Sequence, residues 1–131
     1  GKDRNKVVVT QTGKSTPNRI GPATLHYPSR SSRPELSDET ADYFDTIVAY
    51  LKAHPRAKIK ITGHTDNKGE ADNNSDLALK RAEMIHDALV KRGASSKQLQ
   101  VSSAGESRPI ASNNTTEGRE KNRRVEIMPL K

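Results

Sequence analysis

Residues 57–69 read Ala57-Lys58-Ile59-Lys60-Ile61-Thr62-Gly63-His64-Thr65-Asp66-Asn67-Lys68-Gly69. Ala57, Ile59 and Ile61 alternate with Lys58, Lys60 and Thr62, which predicts a strand with one wet face. Gly63 to Asn74 then reads as a long polar loop. A helix is predicted from about Ser75 to Arg92. Ala78, Ala82, Ile85 and Leu89 form its apolar stripe, widened by Leu77. Gly93 stands where a helix-ending glycine belongs. A loop between a strand and a helix is held by the scaffold while its backbone stays exposed, a common position for a ligand site.

Outward from this unit, the pattern gives the rest of the fold. Ser37 is an N-cap, with Asp38 and Glu39 in the first turn of a helix. Phe44, Ile47, Val48 and Leu51 supply its buried face, and Pro55 ends it. Before it, Ala23, Leu25 and Tyr27 alternate as a half-buried strand stopped by Pro28, and Ser29 to Pro34 reads as a polar loop. Val7-Val8-Val9 is a further short β-like run. After the second helix, Leu99 to Ser102 predicts a strand. Gly105 to Asn122 is a polar loop with a turn of helix near Glu117, and Arg124 to Ile127 alternates as the last strand. The order β-α-β-α-β-β predicts an α+β two-layer sandwich, with two main helices on one face of a mixed sheet of about four strands.

The 131 residues suit one domain. The chain has no cysteine, which excludes disulfides and thiolate metal sites. No apolar run approaches a membrane span and no charged-then-apolar leader is present, so the expectation is a soluble piece, either mature or cut from something longer. The net charge is +7, and its distribution matters more than its size. Residues 1–34 hold seven Lys/Arg and one acid, whereas residues 35–131 hold 16 bases and 15 acids. We therefore expect a basic N-terminal arm over 1–21, as an extra strand or partly disordered, and a nearly neutral domain over 22–131. The arm leaves open a nucleic-acid or other polyanion binder, or a contact with a protein partner. Against nucleic acid stands the shortage of aromatic stacking platforms: Tyr27, Tyr43, Phe44 and Tyr50 are the only aromatics of that kind.

Three positions carry the chemistry. Asp66 lies on the loop, Asn74 just before the predicted helix, and Arg81 two turns into it. Asn74 and Arg81 are seven apart, and share a face if the helix begins early. A carboxylate and a guanidinium with an amide between them suit a zwitterion: one takes the ammonium, the other grips the carboxylate. The alternative is a loop-capping Asp66 and a helix-surface Arg81. Histidines 26, 54, 64 and 86 show no ligand spacing. No nucleophile elbow exists, and the pairs Asp72/Asp76 and Glu117/Glu120 read as solvated helix charges. We expect no catalysis, no metal and no cofactor.

From Gly63 to Ile127 the chain resembles the OmpA-like peptidoglycan-binding domain family, the group of the OmpA C-terminal domain, Pal and MotB. The matching residues are G-H-T-D at 63–66, Gly69, Asn74, Leu77, R-A at 81–82, Leu89, Gly93, Leu99, G-E at 105–106, Pro109, Asn113, E-G-R at 117–119 and N-R-R-V-E at 122–126. The resemblance implies non-catalytic binding of the peptidoglycan stem peptide through its diaminopimelate, anchoring a cell-envelope protein to the wall. It places the protein in the periplasm of a Gram-negative bacterium, attached to the outer membrane through parts outside this chain. It implies that Asp66 holds the ligand's amino group and Arg81 its carboxylate. Asn74 and Thr65 would flank the pocket and Leu77 would floor it. Arg124 would be a third ligand contact or, like Arg123, a structural pair for a buried acid. Asp66 and Arg81 are both expected to be exposed. Two departures stand out. Pro28 follows Tyr27, with two extra residues before Leu36 in the loop that walls the family's pocket, and Ser103 replaces the first glycine of G-x-G-E.

Overall fold

The computed structural model describes residues 5–28 and 34–130; the loop expected over Ser29 to Pro34 falls almost wholly outside them. Six strands and three helices appear in the order β1 (Lys6–Gln11), β2 (Ala23–His26), β3 (Glu35–Leu36), α1 (Asp38–Ala53), β4 (Lys58–His64), α2 (Ala71–Lys91), β5 (Leu99–Gly105), α3 (Thr116–Asn122) and β6 (Arg124–Leu130). The helices pack against one mixed sheet ordered β3-β1-β2-β6-β4-β5. The α+β sandwich stands, but with six strands where the pattern gave about four. Lys6–Gln11, inside the stretch expected as an arm, pairs antiparallel with β2 and sends Val7 and Val9 into the core. The turn near Glu117 is a seven-residue helix. Among the described residues, no helix is long and apolar enough to cross a membrane.

Alternation decides which face is covered. Ile59 and Ile61 of β4 pair in register with Leu99 and Val101 of β5, and Ile61 sits opposite Ile127 of β6. These side chains meet Phe44, Ile47 and Leu51 of α1 and Ala82, Ile85 and Leu89 of α2 in one core. Two polar side chains fasten it. Thr40 Oγ1 donates to Val7 O (2.9 Å) and accepts from Val9 N (3.0 Å), bolting the start of α1 to β1. Gln98 Nε2 lies within 2.9–3.1 Å of the carbonyls of Leu51, His54 and Ala57, and so clasps the α1–β4 turn.

The second helix starts at Ala71, four residues earlier than its apolar stripe suggested, because its first turn is polar. It crosses β4 where Gly63 faces the helix backbone. A Cβ at Gly63 would stand 1.9 Å from Ala78 O, so only glycine allows this approach. At the same strand end, on the side of β4 and β6 turned away from α2, His64, Arg124 and Glu126 cluster. His64 Nε2 is 3.3 Å from Glu126 Oε1, and Arg124 Nε donates to Glu126 Oε2 at 2.8 Å. Burial, then the nearby Arg124 cation, push the His64 pKa down from 6.5 to about 4 against the pull of Glu126. Burial alone would raise Glu126, but its bonds to Arg124 and His64 hold it below its usual value.

Two outcomes follow from this packing. Gly63→Ala should lower unfolding free energy by about 1–3 kcal/mol, as overpacking does, measured by chemical denaturation. His64 is neutral when folded, so the unfolded chain binds its proton first. Stability is then complete above pH 6.5 and falls as pH drops toward 4. Thermal melts across that window should show the slope, and His64→Gln should flatten it. The depressed Glu126 adds a loss of the same sign below its unfolded value of 4.5.

Candidate functional site

The early start of α2 puts Asn74 within the helix, so Asn74, Ala78, Arg81 and Ala82 form one inward stripe. Asn74 and Arg81 are each 0% exposed. Across from them, β4 ends at His64 and the chain turns through Thr65 and Asp66, both 1% exposed. The expectation that Asp66 and Arg81 are exposed is therefore wrong. The helix approach at Gly63 draws both charges inside, where each needs partners to offset lost hydration.

Those partners are specific. Asp66 Oδ2 accepts from Arg123 Nη1 at 3.1 Å, and Oδ1 accepts from the backbone N–H of Lys68 at 3.1 Å, which closes the loop. The Arg81 guanidinium lies 4.9 Å from the centre of the Tyr27 ring, a cation–π contact. Its Nη1 reaches His64 O at 3.5 Å, two residues before Asp66. The Tyr27 hydroxyl donates to the backbone carbonyl of Arg81 at 3.2 Å, and burial raises its pKa. Tyr27 N also donates to Arg123 O at 2.9 Å. Asp66, Arg123, Tyr27 and Arg81 thus form one unbroken chain of contacts. The two opposite charges are not on opposite sides of the molecule.

The flanking residues divide. Asn74 Nδ2 donates to Glu106 Oε1 at 2.9 Å. Thr65 N donates to Gly105 O at 2.8 Å, while Thr65 Oγ1 is buried with no hydrogen-bond partner among the described residues. Leu77 is half-buried beside Asn74 and Ala78 on the helix. Arg124 engages the strand end. Its donors go to Glu126, to Arg108 O (2.9 Å) and to Asn122 O (3.5 Å). Arg123, its neighbour, is the one paired with the buried acid. Sequence reasoning left Arg123 among structural pairs without naming its acid, because a contact across 57 residues has no periodic signal. It also missed Glu106 as the partner of Asn74 and Tyr27 as the shelf under Arg81. Among the described residues, no three His, Asp or Glu side chains gather as metal ligands.

Ser103 takes up its own position without a glycine: its Oγ donates to Ser75 O at 2.8 Å, tying β5 to α2. Gly105, the second glycine of that motif, has φ +54°, and a Cβ there would press on Ser75 Cα at 3.2 Å.

Comparison with known proteins gives consistent answers. The chain is 44% identical over 90 residues to the peptidoglycan-binding protein ArfA of Mycobacterium tuberculosis, a match covering 67% of this chain and 28% of that protein. It is 35% identical over 97 residues to the probable lipoprotein YiaD of Escherichia coli, covering 74% of this chain and 44% of that one. The chain thus spans less than half the length of these relatives. Among solved structures, the peptidoglycan-associated lipoprotein of Burkholderia pseudomallei superposes with a TM-score of 0.76 at 28% identity, covering 82% of this chain and 89% of that one. The C-terminal domain of Helicobacter pylori MotB gives 0.66 at 26% identity, covering 95% and 84%. The model of the OmpA family matches residues 30–123, and the chain belongs to that family.

Proposed function

We propose that this domain binds the peptidoglycan stem peptide without cutting it, through the diaminopimelate residue, and so anchors an envelope protein to the cell wall. The observation that carries the reading is the pair of opposite full charges, each 1% exposed or less, on an adjoining loop and helix. Burying two charges costs stability unless a partner recovers the loss. The chain keeps them at the strand–loop–helix junction, where a zwitterionic amino-acid end could meet both. In this reading Asp66 takes the ligand ammonium and Arg81 its carboxylate. Thr65 Oγ1, a buried hydroxyl without a hydrogen-bond partner among the described residues, supports a ligand contact, since such groups are rare without a reason. Asn74 orients against Glu106, and Leu77 adds apolar surface beside it. Arg124 serves the strand end, because its Nε and both Nη atoms are already engaged by Glu126 and two carbonyls.

The peptidoglycan named for ArfA and for the Burkholderia lipoprotein supports the same ligand. A mycobacterial relative removes the reason to restrict the protein to Gram-negative bacteria. The envelope remains the proposed location, with the anchor in parts of the protein outside this domain. The proposed binding unit runs over 22–131, with β1 added to its sheet from the basic segment before it.

Calorimetric titration with a diaminopimelate-containing stem peptide tests the reading. Asp66→Asn and Arg81→Lys should each weaken binding by about 1.5–3 kcal/mol, the range for a hydrogen bond to a charged group. A stem peptide with lysine in place of diaminopimelate should bind more weakly, lacking the second carboxylate. Wild-type affinity in either variant would refute the site. Arg81→Ala is unsuitable as the only test: truncating a fully buried side chain should also lower the melting temperature. Incubation with purified sacculi should release no soluble fragments.

A further inference from the structure

On the outer side of the β4–β5 edge lies a groove of about 280 Å³ that the site above does not use. Its floor is a pair of hydroxyls on neighbouring strands, Thr62 Oγ1 and Ser102 Oγ, 2.9 Å apart and in register. Two hydroxyls sharing one hydrogen bond leave one hydroxyl hydrogen to donate. Lys60 and Arg108 stand in its walls, and neither side chain has an ion-pair or hydrogen-bond partner among the described residues. Ser75 Oγ, also in the wall, has no hydrogen-bond partner among them either. Among the described residues, no carboxylate lines the groove. Glu126 sits opposite Thr62 on β6, but Arg124 and His64 already engage it.

The walls are fixed rather than fortuitous. Ser103 Oγ donates to Ser75 O, joining the β5 wall to the helix wall, and Ser107 Oγ donates to Ala104 O at 2.6 Å, closing the turn that carries Arg108. Two cations, two donor hydroxyls and no acid form a receptor for an oxyanion. Its place in the fold says which. Ser75 follows Asn74 directly, and Gly105, which ends β5 beside the groove, accepts from Thr65 N. The groove and the Asp66–Arg81 site thus flank the same strand end.

We infer that this groove is a second subsite, in which Lys60 and Arg108 take a carboxylate of the wall peptide other than the one held by Arg81. The inference rests on the proposed stem-peptide reading. It makes recognition two-pointed: a zwitterionic end on one side of the strand end, a single anion on the other. The groove is open to water, so each charge contact is individually weak and adds mainly selectivity.

The test is a nitrogen-15 NMR titration of the whole chain with four probes: free diaminopimelate, a stem peptide with its remaining carboxylates free, the same peptide with those carboxylates amidated, and inorganic phosphate. Free diaminopimelate should shift amides around Asp66 and Arg81 only, and its failure to do so would remove the first reading alone. The free-carboxylate peptide should also shift Ser102, Ser103, Ser107 and Arg108, and the amidated peptide should not. The double variant K60Q/R108Q should bind the free-carboxylate peptide about three- to tenfold more weakly, the size expected of two exposed charge contacts. It should bind diaminopimelate unchanged. Unchanged peptide affinity in that variant, or equal groove shifts with both peptides, would overturn the second subsite. Groove shifts with inorganic phosphate but not with the free-carboxylate peptide would overturn it as well, by assigning the anion to another source.

Discussion

The structure depends on the close approach of α2 to β4 at Gly63, where the Ala78 carbonyl occupies the space a Cβ would need. Helices usually stand off a sheet by the thickness of two side-chain layers. Removing one layer at this crossing lowers the helix onto the end of the strand. Asn74, one turn before, and Arg81, one turn after, are thereby drawn to the loop that β4 feeds. The core residues further along α2, Ala82, Ile85 and Leu89, hold that geometry through ordinary apolar burial.

That approach creates an electrostatic problem which the neighbouring elements solve. Two ionised side chains end up out of water. Arg123, arriving from the far end of the chain, balances Asp66, while the face of Tyr27 and the carbonyl of His64 receive Arg81. Strands β2 and β6 pair directly, so the residues that serve both charges are themselves neighbours. The site is consequently a property of the assembled sheet and not of the loop alone.

Much of this was legible before the structure. The alternation of β4 and β6 and the apolar stripes of α1 and α2 are local and strong, and they appear where the pattern placed them. The short edge strand β3, two residues long, leaves no periodic trace. Strand β1 was visible only as three valines, because its outward residues are mixed. The start of α2 was missed because its first turn, Ala71 to Asn74, is polar and lacks a side-chain cap. Asp66, Asn74 and Arg81 were singled out by residue type and by resemblance, yet their burial was not foreseen. Burial there follows from a single glycine meeting a helix carbonyl, and nothing in residue spacing announces such a meeting. The engagement of Arg124 at the strand end, and of Arg123 with Asp66, is equally a matter of which way adjacent residues point where α3 gives way to β6.

The irregularity at the end of the β4–β5 ladder carries a consequence for how such a site can change over generations. Pairing runs evenly to Gly63 opposite Ser103, then jumps so that His64 faces Gly105, leaving Ala104 as one residue too many. An extra residue of this kind reverses the parity of everything beyond it. Exchanging Ala104 for another small residue would keep that count, whereas losing it would realign the strand end to which Thr65 is bonded. Lineages could therefore exchange Ala104 among small residues, but a one-codon deletion here would be far more disruptive than such an exchange.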